Sequence, residues 1–128
     1  EIKGEADLII AFEPGEAVRQ LPFLKPDGRM VVSSRPVMPV TAALSDTGYR
    51  AETMLDYLSS HVARFTVVDA ERALKDVGSP KVLNLILLGA ALRAGALGLE
   101  TADLKEAIRR NIKEKFHALN FRALEYEP

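Results

Sequence analysis

Asp7-Leu8-Ile9-Ile10-Ala11-Phe12 is apolar at every position after the first. A run so short and uninterrupted is the pattern of a parallel strand buried on both faces. Glu13-Pro14 ends it. Pro14 suits the first position of a helix, and Ala17, Val18 and Leu21 give that helix an apolar face. Lys25-Pro26-Asp27-Gly28 predicts a turn. Arg29 to Ser33, centred on Met30-Val31-Val32, predicts a second strand, and Phe65-Thr66-Val67-Val68 a third. Between them, Thr53 to His61 predicts a helix with Met54, Leu55 and Leu58 on one face.

The second half changes period. Asp69 is placed to cap a short helix, Ala70 to Val77, which Gly78 stops. Ser79-Pro80 opens a long apolar helix running to about Ala96 and closing at Gly98. Its apolar residues point in nearly every direction, so it should be the most buried helix, with Leu85 and Leu88 inside. Thr101 is placed to cap the next helix, whose Leu104, Ala107, Ile108 and Ile112 recur three and four apart. A last amphipathic stretch carries Phe116, Leu119, Ala123 and Leu124. Strands alternating with helices predict an α/β fold, a three-layer α/β/α sandwich with a mainly parallel sheet. The length fits a single domain over 1–128. Three strands are few, since sheets usually have about 4–6. The chain also begins without Met. An N-terminal portion is therefore expected to be missing.

The stretch Ser33-Ser34-Arg35-Pro36-Val37-Met38-Pro39-Val40 breaks both periods. Strand-to-helix connections in α/β units usually take about 2–6 residues, and this one runs on to about Glu52. Two prolines favour an extended backbone, and the segment is too apolar to read as disordered. It predicts an ordered arm leaving the carboxyl end of a central strand, where open α/β sheets bind ligands and partners.

Composition narrows the chemistry. Seventeen basic residues stand against eighteen acidic ones, and no basic stripe with interleaved aromatics is seen, so nucleic acid is not an expected partner. There is no cysteine, which removes thiol catalysis, Cys-ligated zinc and iron–sulfur clusters from this chain's own repertoire. No secretory signal pattern is visible, and the longest apolar run, Val82 to Leu97, contains Asn84 and Arg93. It is shorter than the ~20 residues that span a bilayer, so no membrane segment is expected and the reading is cytoplasmic.

Three polar groups should share the carboxyl rim of the sheet: Glu13, the Ser33-Ser34-Arg35 cluster with Pro36, and Asp69. They could contact a ligand or a partner chain. Equally, Glu13 and Asp69 could be acids favoured at helix N-termini. Arg35, between a strand end and a proline, holds a donor fork suited to a carboxylate or phosphate. Asn84 lies in the most apolar helix, so its amide needs a partner in a loop of this chain or in another subunit. Gly89, Ala90, Ala91, Ala94 and Gly95 make part of that helix small-sided, for close packing inside the chain or against a subunit. His61 and His117 lack any nucleophile or second ligand at useful spacing and read as structural. Gly15 stands without the further glycines of a phosphate cradle. No catalytic machinery is visible.

The pattern as a whole resembles a known family. Gly4-Glu5-Ala6-Asp7-Leu8-Ile9-Ile10-Ala11-Phe12-Glu13-Pro14, then Glu16-Ala17, then Leu21-Pro22-Phe23-Leu24-Lys25-Pro26-Asp27-Gly28, is similar to the gamma-type domain of 2-oxoacid:ferredoxin oxidoreductases. Ser34-Arg35-Pro36-Val37-Met38-Pro39-Val40 resembles the family's "TRPIxPV" arm. Asn84 with Leu88-Gly89 resembles its "NxxxLG" helix, and Leu119-Asn120 with Ala123 its "LNxxA" segment. Within the family the likeness is strongest to the beta subunit of the indolepyruvate branch. Two departures stand out: the family's opening glycine-rich strand-turn-helix has no counterpart, and Ser34 stands where Thr or Asn is common. The resemblance implies a subunit of an assembly that oxidatively decarboxylates a 2-oxoacid to an acyl-CoA and reduces ferredoxin. It implies thiamine diphosphate, iron–sulfur clusters and CoA in the complex, with none bound by this chain. It also implies docking on a thiamine-diphosphate-binding subunit. The alternative is a stand-alone Rossmann-like nucleotide-binding or regulatory module.

Overall fold

A computed structural model describes residues 3–34, 51–95 and 97–127. The chain divides into two compact units, Glu1–Ala70 and Glu71–Pro128.

The first unit is built on a sheet of three parallel strands: β1 (Ala6–Ala11), β2 (Leu24–Ser33) and β3 (Arg64–Val68), in the order β1-β2-β3. Helix α1 (Pro14–Gln20) connects β1 towards β2, and α2 (Ala51–His61) precedes β3. The α/β class with a parallel sheet, read from the strand–helix alternation, is what the chain forms. Side chains alternate across a strand. Ile9 and Ala11, Met30 and Val32, and Phe65 therefore share one face. They pack with Ala17, Val18 and Leu21 of the α1 region, and with Leu55, Leu58 and Val62. The register is continuous from Leu8↔Arg29 to Ala11↔Val32 on one side of β2, and from Arg29↔Arg64 to Ser33↔Val68 on the other. Val31 and Ser33, on the opposite face of β2, are also buried. That accounts for the unbroken apolar run of the central strand.

One boundary differs from the sequence reading. Strand β2 starts at Leu24 rather than Arg29. Leu24 pairs with Ala6, and the register then jumps to Leu8↔Arg29. The turn-forming residues 25–28 are thus absorbed as a bulge inside the strand. Proline and aspartate fit a ladder poorly, but a bulge needs no pairing from them.

The second unit is helical. Helix α3 (Ala70–Val77) begins at the boundary between units. A 3₁₀ turn, Pro80–Val82, leads into α4 (Leu83–Arg93). Ser79 caps that turn as the sequence suggests, its Oγ accepting the Lys81 N–H at 3.2 Å. Helices α5 (Thr101–Asn111) and α6 (His117–Leu124) follow. No helix among the described residues is long and apolar enough to cross a membrane.

Three details of this unit correct the sequence reading. Helix α4 ends at Arg93, not near Ala96, because Gly95 takes φ +75° and is the first available stop. Glu100, not Thr101, is the N-cap of α5: its N–H donates to Asp103 Oδ2 at 2.9 Å, half of a capping box. Finally, α4 buries Leu83, Ile86, Leu87, Gly89, Ala90 and Ala91, while Leu85 and Leu88 are only partly covered and Asn84 is exposed. It remains the helix with the most buried residues among those described.

The small-sided stretch of α4 packs on α6. A methyl group on Gly89 would sit 2.0 Å from the Leu124 carbonyl oxygen, so only glycine admits this approach. Arg93 Nη1 donates to the same oxygen at 3.4 Å. Arg122 Nη2 donates to Val77 O at the end of α3 (3.3 Å), and Tyr126 Oη to Asp76 Oδ2 (2.9 Å). The C-terminal helix thereby ties α3 and α4 together. The Leu88-Gly89 and Leu119-Asn120-Ala123 segments, thirty residues apart, belong to this one helix contact.

Candidate partner-docking rim

Because the three strands are parallel, their carboxyl ends open on one edge of the sheet. Adjacent strands lie about 4.8 Å apart, so β1 and β3 ends are about 10 Å from one another across β2. Glu13, Ser33-Ser34 and Asp69 follow those three ends, and the structure brings them to the same rim.

Their environments differ. Glu13 is the N-cap residue of α1, with an extended backbone (φ −154°, ψ 152°) and no side-chain cap bond. Its Oε1 lies 3.7 Å from Arg19 Nη2, an ion pair at the surface. Arg19 also bonds Glu16, whose carboxyl is held below its ordinary pKa chiefly by that hydrogen bond and by one from Gln20. The acid at the end of β1 is thus linked to the helix that follows it.

Ser33 is fully buried, with Val68 as its strand partner. No buried side-chain nitrogen or oxygen among the described residues lacks a hydrogen-bond partner. Ser34 is the more informative residue. Its N–H donates to Val68 O at 2.7 Å, and its Oγ accepts the Ala70 N–H at 3.3 Å. An N–H in the first turn of a helix has no intrahelical acceptor. Ser34 supplies one to α3 from another strand, so the last described residue before the arm is fixed to the end of β3. Sequence reading placed Ser34 on the rim but did not foresee this bond, because no local spacing signals a cap supplied from thirty-six residues away.

Arg35 and Pro36, the other arm residues of the expected site, lie outside the described residues. Asn84 belongs to the second unit. It sits in the first turn of α4 with its side chain exposed, so water meets its hydrogen-bonding needs and burial imposes no partner on it. The expectation of an amide buried by its apolar neighbours and bonded to a loop of this chain is corrected accordingly.

The described rim has no visible activating pair. The Ser34 hydroxyl is engaged with a backbone N–H. His61 donates from Nδ1 to Tyr57 O at 2.7 Å and stacks on the Tyr57 ring (centroids 4.1 Å apart). His117 donates from Nε2 to Ile112 O at 2.6 Å. Both histidines stabilise helix ends, as their sequence context suggests. An iron–sulfur cluster requires thiolates, which this sequence lacks, so its residues do not fit one. What the rim offers is hydrogen-bonding edges held in fixed register.

Comparison with known proteins gives this geometry its context. A match to the pyruvate ferredoxin/flavodoxin oxidoreductase family covers residues 1–126. The indolepyruvate oxidoreductase subunit IorB of Thermococcus kodakarensis is 31% identical over 96% of this chain and 62% of its own length. The subunits of the same name from Pyrococcus horikoshii and Methanothermobacter thermautotrophicus are 28% and 29% identical, again over 62% of their length. The chain thus spans about three fifths of the curated relatives it matches. With a match running through both compact units, the chain belongs to the pyruvate ferredoxin/flavodoxin oxidoreductase family.

Proposed function

We propose that this chain is a non-cofactor-binding subunit, or part of one, of an indolepyruvate:ferredoxin oxidoreductase. In this reading the assembly oxidatively decarboxylates the 2-oxoacid, transfers the acyl group to CoA and passes the electrons to ferredoxin. The observation that carries the reading is the family match from residue 1 to 126 in a chain without cysteine. It supports membership of a redox assembly in which the iron–sulfur clusters are ligated elsewhere. Thiamine diphosphate and the clusters supply the carbanion and electron-transfer chemistry when bound by a partner subunit. The match runs through both units, which supports treating 1–128 as one partial gamma-type domain; in this reading it works in the cytoplasm.

The role we assign to this chain's residues is docking. Glu13, Ser34, Arg35 and Pro36 are the residues we assign to contact with the thiamine-diphosphate-binding subunit or the edge of its active site, with Ser33, buried beneath, supporting the strand end. Asn84, exposed on α4, is a second contact. Ser34 is held through Val68 and Ala70, so the partner meets a pre-positioned strand end at β2. Pre-positioning lowers the ordering cost of association.

The test is co-expression with the thiamine-diphosphate-binding subunit. Co-purification in fixed stoichiometry, weakened by Arg35→Ala without loss of this chain's thermal stability, is the expected result. If the two chains do not associate, the subunit reading fails. If Arg35→Ala unfolds the chain and leaves association of the folded fraction intact, Arg35 is structural.

A further inference from the structure

The near-neutral total charge conceals a local excess. Glu71–Pro128 carries ten Lys and Arg against eight Asp and Glu, and five of those ten cations fall within 105–115. Arg109, Arg110, Lys113 and Lys115 are all exposed, and Glu114 is the sole acid among residues 109–115. Glu106 serves two of them at once, at 3.3 Å from Arg109 and 3.1 Å from Arg110, so one carboxylate faces two guanidinium groups. The α5 dipole favours cations in its last turn, which explains the arginines. That effect fades beyond the turn and does not call for Lys113 and Lys115.

An apolar group sits beside these charges. Phe116 is 44% exposed, with Lys115 Nζ 5.1 Å from its ring centroid. The turn that presents it is held from within: His117 Nε2 donates to Ile112 O, and the Phe116 N–H donates to Lys113 O at 2.9 Å. The result is an ordered edge with an exposed aromatic ring beside Lys113 and Lys115, neither of which makes an ion pair among the described residues. Protein interfaces are enriched in aromatics and Arg, with an apolar anchor inside a polar rim. A duplex would demand a longer basic track, and the net charge of −1 opposes a polyanion elsewhere on the chain.

We propose that the α5–α6 edge, with Lys113, Lys115 and Phe116 at its centre, docks an acidic surface of the partner subunit. This rests on the proposed subunit role and adds a further contact region, with the partner's chemistry stated. The experiment uses the full chain and the thiamine-diphosphate-binding subunit, each expressed and purified alone, with affinity measured by calorimetry. Raising salt from about 0.1 M to about 1 M shrinks the screening length from about 10 Å to about 3 Å, so wild-type affinity should drop about tenfold. Lys113→Glu/Lys115→Glu should weaken low-salt binding about tenfold and remove most of the salt dependence. Phe116→Ala should weaken binding at both salts. If charge reversal perturbs the circular dichroism spectrum, Lys113→Gln/Lys115→Gln replaces it with the same expected direction. Partner affinity unchanged in these variants overturns this surface while leaving the subunit role intact. Failure of the wild-type chain to bind the partner overturns both. A duplex DNA 20-mer is run in parallel, and tight binding lost in the charge-reversal variant would overturn the assignment to a protein surface.

Discussion

The sheet unit and the helical unit solve the packing problem in opposite ways. In the first, large side chains fill the space between strands and helices: Leu58 of α2 and Met30 of β2 are fully buried in one cluster. In the second, the tightest contact comes from having no side chain, where Gly89 of α4 meets the backbone of Leu124. The same apolar sequence signal therefore stands for two different physical requirements. One site needs volume, the other needs its absence. Truncation should injure the cluster around Leu58 and enlargement the Gly89–Leu124 contact.

The sharpest way to break this contrast is Leu58→Ala. It removes a fully buried side chain and should destabilise by about 2–5 kcal/mol, the usual range for such truncations. Urea denaturation followed by circular dichroism measures it, and a loss under about 1 kcal/mol would mean the cluster can collapse around the gap. Gly89→Ala is the complementary change. Alanine is the better helix former, so propensity alone predicts stabilisation by about 1 kcal/mol. The contact with Leu124 O predicts instead a loss of about 1–3 kcal/mol, typical of overpacking. The sign of the measured change decides which effect governs α4.

Ser34→Ala probes the link between strand and helix. It removes the acceptor for the Ala70 N–H and should cost about 1 kcal/mol, the scale of a lost helix cap. Ser34→Thr keeps the acceptor and should restore most of it. No difference between the two variants would show that the bond carries no stability. The smallest effect is a titration. Glu16 should titrate below the ordinary carboxylate range in an NMR pH series, mainly because Arg19 and Gln20 hydrogen-bond its charged form. A carboxyl depressed in the folded state adds stability above its unfolded pKa, and that contribution is lost as pH falls through the folded value. Arg19→Ala should move the titration back upwards.

Legibility in the sequence followed the range of the interaction. Val31-Val32 read correctly as a strand because burial on both faces leaves an unbroken apolar run, and Leu8 to Ala11 carry the same apolar pattern although only Ala11 is buried. Ala70–Val77 read correctly because its stop, Gly78, is adjacent. Features set by competing local signals were less secure. Gly95 and Gly98 both adopt positive φ, and the chain uses the first to end α4. Glu100 displaces Thr101 as cap because Asp103 answers it. Asn84 seemed buried because its neighbours are apolar, yet the first turn of α4 places it outward. On the rim, Glu13 and Ser33-Ser34 were readable from their positions after strands. The Ser34–Ala70 bond was not, since it depends on β2 and β3 lying side by side.

The central claim is that this chain supports redox chemistry carried by another subunit. Anaerobic viologen reduction with indolepyruvate, CoA and thiamine diphosphate tests it most directly, using this chain alone, the thiamine-diphosphate-binding subunit alone, and the two together. The account predicts no turnover by this chain alone and a rate for the pair well above that of the partner by itself. Turnover by this chain alone, or a partner rate that this chain leaves unchanged, would contradict it.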